Sequence, residues 1–427
     1  MSRRRWAAGA VAAALLASAF AAAPAQAHGK HHDHGSHASK RVVGYFTQWG
    51  IYGRNFLVND LVKNGSSARL THINYAFGFL DEQGKCVSAD AWADYQKPFT
   101  AAESVNGKDD VAGQPLSGNL NQLRLLKQRH PTLRVLISLG GWTGSKYFSN
   151  AALTAESRRE HVRSCIDLWI KGNLPGAAPG AGAGVFDGID LDWEWPGSEG
   201  EVGNIIRPED KRNFTLLVQE YRKQLDRRHD LTAFLPASPA KVEAGFEVKK
   251  VFKELTFATV QGYDFHGTWE STTNQQSSLR VPRGAPTTPD FSSQVAVDAY
   301  LTRGAPKDKI VLGVPFYSQG WTGVTGGGNG LFKPAAGPAP GLWANGVEDY
   351  KVLAAKRDQF RVYRDHKAGH AWIFDGTTFW TYDDPIEMFR KARYIDDRRL
   401  GGAMIWSLDG DTTRGELIKA LHLGLQF

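Results

Sequence analysis

Residues Phe186 to Pro196 read FDGIDLDWEWP. Four acids, Asp187, Asp190, Asp192 and Glu194, stand in a run that is otherwise apolar or glycine. Ile189, Leu191, Trp193 and Trp195 alternate with the last three acids. A repeat of two is that of a β-strand. Asp190, Asp192 and Glu194 are therefore expected to stack along one face, with the four apolar residues on the other. Asp187 is out of phase and is expected at the strand entrance. Large apolar residues on one face and carboxylates on the other describe a strand covered on both sides, as in a parallel sheet.

Adjacent carboxylates repel one another and resist desolvation. A shared proton and a raised pKa on one member relieve the conflict. A carboxyl with a raised pKa is what general acid catalysis near neutral pH requires. A solvated polar strand face, or a cation-binding cluster, is the bland alternative. It fits poorly with the apolar residues on the opposite face.

Working outward, further strands are expected at Arg41 to Phe46, Thr71 to Phe77, Leu133 to Leu139, Leu231 to Ala237, Phe257 to Tyr263, Ile310 to Phe316 and Ala403 to Ser407. Leu120 to Leu126, Ala151 to Lys171, Pro208 to Arg228, Ser292 to Arg303 and Arg414 to Leu423 read as helices between or after them. Leu80 to Ser117 reads as a long loop, and Asn173 to Gly184 as a Gly/Ala/Pro loop. Eight strands alternating with helices predict an α/β fold, a parallel (β/α)8 barrel over 41–427. The interval before the last strand exceeds one helix. Its glycine-rich loop at Gly326 to Gly330, and apolar runs flanking Asp375-Gly376, predict a small α+β insertion over 321–383 between strands 7 and 8. The chain shows no internal repeat, and no additional carbohydrate-binding module is expected within it.

FDGIDLDWEWP resembles the DxxDxDxE signature of glycoside hydrolase family 18, the family of chitinases. Dispersed motifs extend the resemblance across nearly the whole chain after residue 40. Ser138-Leu139-Gly140-Gly141-Trp142 resembles the family's SxGG motif. Tyr263-Asp264 is similar to its M-x-Y-D motif, with Gln261 in place of Met. Pro315 to Trp321 resembles P-F-Y-G-R, with Gln319 in place of Arg. Gly402 to Trp406 resembles the segment that supplies a tryptophan beneath the cleaved sugar.

The resemblance implies β-1,4-N-acetylglucosamine hydrolysis with Glu194 as general acid. It implies that Asp192 orients the substrate acetamido group, that Asp190 couples to Asp192, and that Tyr263 positions the acetamido oxygen. It further implies substrate contacts at Tyr45, Phe77, Gly141, Trp142, Asp264, Tyr317 and Trp406, with Asp187, Ser138 and Gly140 supporting the motifs. Non-proline cis bonds are implied at Ala76–Phe77 and Trp406–Ser407. No metal or organic cofactor is expected. Two other readings are a chitin-binding lectin, which the presence of Glu194 opposes, and an endo-β-N-acetylglucosaminidase, in which the long insertion is not expected.

The thirteen tryptophans suit sugar binding, since flat rings stack on sugar C–H faces. Trp49, Trp142, Trp195, Trp269, Trp321, Trp343 and Trp406 lie near expected strand ends or loops. Trp142 and Trp406 are expected on sugar, Trp193 and Trp195 in the core. Arg3, Arg4 and Arg5, an alanine-rich stretch, and Ala25-Gln26-Ala27 read as a signal peptide over 1–27. Ser2-Arg3-Arg4 meets the twin-arginine pattern only in part. A secreted, extracellular location follows as an expectation. The His-rich stretch 28–40 reads as a disordered leader. Removing the signal's three arginines from the net charge of +7 leaves +4, too mild to argue nucleic-acid binding. No membrane span is expected, and a monomer is. The two cysteines, Cys86 and Cys165, suit an oxidising compartment and are a possible disulfide.

Overall fold

The computed structural model describes residues 40–286 and 291–426. The expected signal peptide and nearly all of the His-rich leader lie outside them. Eight strands close into a parallel barrel: β1 Arg41–Thr47, β2 His72–Leu80, β3 Arg134–Gly140, β4 Gly188–Asp192, β5 Asp230–Leu235, β6 Phe257–Val260, β7 Ile310–Pro315 and β8 Gly402–Trp406. Each pairs in parallel with the next, and β8 pairs with β1. Among the described residues, no helix is long and apolar enough to cross a membrane.

Strand alternation sorts the side chains into two layers. Val42 and Phe46 of β1 and Ile189 and Leu191 of β4 pack outward beneath the helices. Val43, Tyr45, Leu136, Phe257, Val311 and Met404 fill the lumen. With Ile189 and Leu191 outside, Asp190 and Asp192 must point inward, and both are buried. The ladder ends at Asp192, so the strict alternation ends there too. Trp193 still packs outward, stacked on Phe148 at 5.4 Å between centroids. Trp195 does not follow it. It joins the inner cluster, 5.5 Å from the Phe234 ring. The expectation that it sits on the outer face fails because no neighbouring strand holds the chain beyond Asp192.

Two other segments differ from expectation. The interval Leu80 to Ser117 contains a short strand, Cys86–Ser88, antiparallel to β2, and a wide helical turn at Trp92–Gln96. Asp94 organises it: this buried carboxylate accepts from Gln48 Nε2 and Tyr75 Oη at 2.6 Å and from Ser88 Oγ at 2.5 Å. The single helix expected over Ala151 to Lys171 divides at Thr154, whose hydroxyl caps the Ser157 N–H at 3.0 Å and starts Ala155–Cys165 afresh.

Between β7 and β8 the chain forms a second, six-stranded sheet. It begins with Tyr317–Thr322, one residue beyond β7, and ends with Phe379–Tyr382. His370–Phe374 and Phe379–Tyr382 form an antiparallel hairpin around Asp375-Gly376. Trp321 is fully buried in its core with Trp372 and Phe379. Cys86 and Cys165 are joined in a disulfide, with Cα atoms 4.9 Å apart.

Candidate active site

A cleft of about 800 Å³ opens at the C-terminal ends of the strands, where (β/α)8 barrels place their chemistry. Beneath it lies Asp190, fully buried. Register puts Ser138 and Thr232 beside it on β3 and β5. Their hydroxyls donate to its carboxylate at 2.8 Å and 2.5 Å, and Tyr45 Oη reaches it across the lumen at 2.8 Å. Burial pushes the Asp190 pKa up, and these three hydroxyls pull it back.

Asp192 is one step higher on the same face. Burial, then repulsion from Glu194 and Asp190, pushes its carboxyl well above the usual range. Its Oδ1 is buried with no hydrogen-bond partner in the protein. Glu194 is half-buried at the cleft. Burial and the charge of Asp264 push its carboxyl up to about 8, opposed by Lys241 and by the neighbouring Asp192. The acid's backbone is fastened at both ends. Its N–H donates to Ser145 Oγ at 2.8 Å, and its carbonyl accepts from Asn204 Nδ2 at 3.0 Å. Asp192 and Glu194 thus form a coupled pair above a carboxylate held by three hydroxyls.

Aromatic rings make the walls. Trp406 stacks on Phe77 at 5.8 Å and meets Tyr45 edge-on at 5.2 Å. Trp142 is about half exposed, at 47%, and Trp49 and Trp269 also present open ring surface to the cleft. The bonds Ala76–Phe77 and Trp406–Ser407 are cis, and so is Glu194–Trp195, which the sequence reading did not include. Tyr263 stacks on Phe234, and its hydroxyl's protein contact is a long one, 4.0 Å to Met404 Sδ. Tyr263 and Asp264 lie beyond the end of β6, not on it, and Asp264 adopts φ +54°. Gln319 Nε2 donates to Asp264 Oδ1 at 2.9 Å, an uncharged contact where the family motif carries Arg.

Tyr45, Phe77, Trp142, Asp192, Glu194, Tyr263, Asp264 and Trp406 therefore converge on one cleft. Other expected residues lie behind it. Tyr317 packs edge-on against Tyr263, with rings 5.9 Å apart. At Gly140 (φ +107°) a Cβ would sit 2.3 Å from the Asp192 carbonyl oxygen, and at Gly141 (φ +74°) 2.6 Å from the Phe77 ring. These glycines let the chain press against the acid strand and the cleft wall. Asp187 stands at the opposite end of β4, paired with Lys127 at 2.8 Å and accepting from the Val135 N–H at 2.8 Å.

Residues that sequence reasoning passed over also line the cleft. Trp195, expected in the core, forms part of its wall with Phe234, Lys241, Gln261, Phe265 and Phe291. Trp195, Lys241, Gln261 and Phe265 lie just past the ends of β4, β5 and β6, whereas Phe234 is on β5 and Phe291 precedes the helix Ser293–Leu301. Trp343 lies away from the cleft, under the Arg54 guanidinium at 4.9 Å. Among the described residues, the group of His, Cys and acid side chains close enough to share a metal is Cys86, His161 and Cys165, whose sulfurs are bonded to each other.

The family model for glycosyl hydrolases family 18 matches residues 41–411. The chain belongs to that family. Similar proteins include Chitinase 63 of Streptomyces plicatus, 37% identical over 90% of this chain and 60% of its own length. Chitinase C of Streptomyces lividans is 37% identical over 88% of this chain and 58% of its own. The chain thus spans about three-fifths of the length of these curated relatives. Among solved structures, the catalytic domain of psychrophilic chitinase B from Arthrobacter TAD20 superposes with a TM-score of 0.87, at 42% identity, covering 91% of this chain and 95% of that one.

Proposed function

We propose that this family 18 protein is a secreted chitinase. It hydrolyses β-1,4 bonds between N-acetylglucosamine units with retention of configuration. The observation that carries the reading is the pair Asp192 and Glu194. Burial and the charge of Asp264 push the Glu194 carboxyl up beside a cleft of sugar-sized aromatic faces, and Asp192 offers an unpaired buried oxygen next to it.

Glu194 protonates the departing glycosidic oxygen. Family 18 is an exception to the scheme in which a second carboxylate attacks carbon. The substrate's own acetamido oxygen attacks the anomeric carbon instead, and an oxazolinium ion forms. Asp192 Oδ1 accepts the acetamido N–H and faces the positive charge. The Tyr263 hydroxyl, with only a weak sulfur contact in the protein, donates to the acetamido oxygen. Glu194, now a carboxylate, takes a proton from the water that opens the ring. Asp190 stays beneath Asp192 as a fixed negative charge. Chitin oligosaccharides lie along Trp49, Phe77, Trp142 and Trp406. One chain supplies the whole cleft, so a monomer suffices. Secretion is supported by the charged and apolar N-terminal sequence and by the disulfide.

The test is Glu194→Gln, which keeps size and removes the transferable proton. Turnover of a chitin oligosaccharide should fall by at least about 10²–10⁴-fold, while calorimetric binding of the same oligosaccharide persists. Turnover near the wild-type rate would remove Glu194 as the acid. Binding and turnover lost together, with the fold intact, would make it a ligand contact instead.

A further inference from the structure

Lys241 belongs to none of the motifs discussed above. It lies in the first turn of the helix Pro239–Gly245, which begins four residues past β5 and so at the cleft's rim. Ser238 caps that helix by accepting the Lys241 N–H at 3.4 Å. The ammonium is held by the segment that follows the acid. Its Nζ lies 5.4 Å from the centroid of Trp195, the residue after Glu194, and donates to the Glu199 carbonyl at 2.9 Å. Its stem lines the cleft and is half-buried.

The charged and titratable groups that face Glu194 come from four places. Asp192 comes from its own strand. Tyr263 and Asp264 come from the end of β6, Tyr317 from beyond β7, and Lys241 from beyond β5. The first four are acids or phenols. Lys241 is the cation of the set.

We propose that Lys241 is a positioning residue for catalysis, whose clamped positive charge strengthens Glu194 as a proton donor and fixes the alkaline limit of hydrolysis. When Glu194 gives its proton to the glycosidic oxygen, a carboxylate appears in a half-buried site already crowded by Asp192 and Asp264. Burial lowers the Lys241 pKa and the charges of Glu194 and Glu199 raise it in part; as the ammonium, Lys241 offsets that new charge. Burial raises the Glu194 pKa and lowers that of Lys241, and the attraction between the two charges opposes burial at both groups. Cation–π contact with Trp195 and the bond to Glu199 restrict the ammonium's motion, so the charge stays in the cleft that Glu194 also lines.

Without the cation the acid is weaker. Lys241→Met should therefore be slower on the pH plateau yet hold its activity further into base. The alkaline limb of kcat/KM should move up by about one pH unit, the effect of one nearby charge at protein-surface dielectric. The plateau kcat should fall roughly threefold, as a Brønsted response to a weaker acid. Lys241→Arg keeps the charge and should keep the wild-type limb. The experiment is a pH profile of both constants on a soluble chitin oligosaccharide, and Lys241→Gln makes the same comparison if the methionine variant folds poorly.

An unmoved alkaline limb in the uncharged variants, or an equal shift in Lys241→Arg, overturns the proposal. A merely structural lysine would lower activity at every pH and leave the limb in place. The inference rests on Glu194 as the acid, and the two fail differently. Full turnover by Glu194→Gln removes the acid assignment. An inactive Glu194→Gln beside a wild-type limb in Lys241→Met removes only the role of Lys241.

Discussion

Tyr45→Phe deletes one oxygen and leaves the ring that packs against Phe77 and Trp406. That oxygen is one of three hydroxyls holding Asp190, which has no cation among its hydrogen-bond partners. A hydrogen bond to a buried charge contributes about 1.5–3 kcal/mol, which at about 1.36 kcal/mol per pH unit corresponds to roughly one to two units of pKa. The sign follows from which form is favoured. All three hydroxyls donate, so they stabilise the carboxylate, and losing one raises the pKa of Asp190 further. In the proposed mechanism Asp190 must be ionised beneath Asp192. The acidic limb of the pH–rate profile should therefore move up by about one to two units, while the alkaline limb, set by Glu194 and Lys241, stays in place. Kinetics on a chitin oligosaccharide from acid to mildly alkaline pH read both limbs. Thr232→Val should shift the acidic limb in the same direction, and Thr232 does not line the cleft, so direct loss of a sugar contact is excluded there. An acidic limb unmoved in both variants would refute Asp190 as a required charge.

Other outcomes follow from the packing. Unfolded, unreduced protein should show no reactive thiol, and replacing Cys86 and Cys165 by serine should cost about 2–5 kcal/mol in denaturant unfolding. Activity at low temperature should persist, since the bridge lies in the outer layer away from the cleft. Gly141→Ala puts a methyl 2.6 Å from the Phe77 ring at a left-handed φ, so oligosaccharide affinity should fall as Phe77 is displaced. Unchanged affinity in a folded variant would show that Phe77 does not shape the cleft.

The barrel was legible because most of its strands are short apolar runs with helices between them. The placement of Asp190 and Asp192 was legible from parity alone, since Ile189 and Leu191 have nowhere to go but under the helices. Parity failed at Trp195 for a physical reason: backbone pairing stops at Asp192, and beyond it the chain is placed by tertiary contacts with Phe234 and Lys241. The same limit misplaced the end of β6, since Tyr263 and Asp264, named from their motif, lie past its pairing rather than on it. The interval after β2 read as a loop because the residue that orders it, Asp94, is polar, and its partners Gln48, Tyr75 and Ser88 are scattered through the sequence. Lys241 was invisible for a related reason. Its meaning lies in being near Glu194 in space, and one lysine in an unremarkable helix start carries no periodic signal.

The five-residue strand β4 has an evolutionary consequence. Its residues are counted from a ladder that β3 and β5 hold in register, so Glu194 reaches the cleft only if the count from Gly188 is kept. One residue gained or lost within that ladder would turn the carboxylates toward the helices and the leucine toward the lumen. The turns that follow, where exposed Val202 sits, lie outside the ladder and are free of that constraint. The interval from Gly188 to Glu194 itself does not admit a change of length.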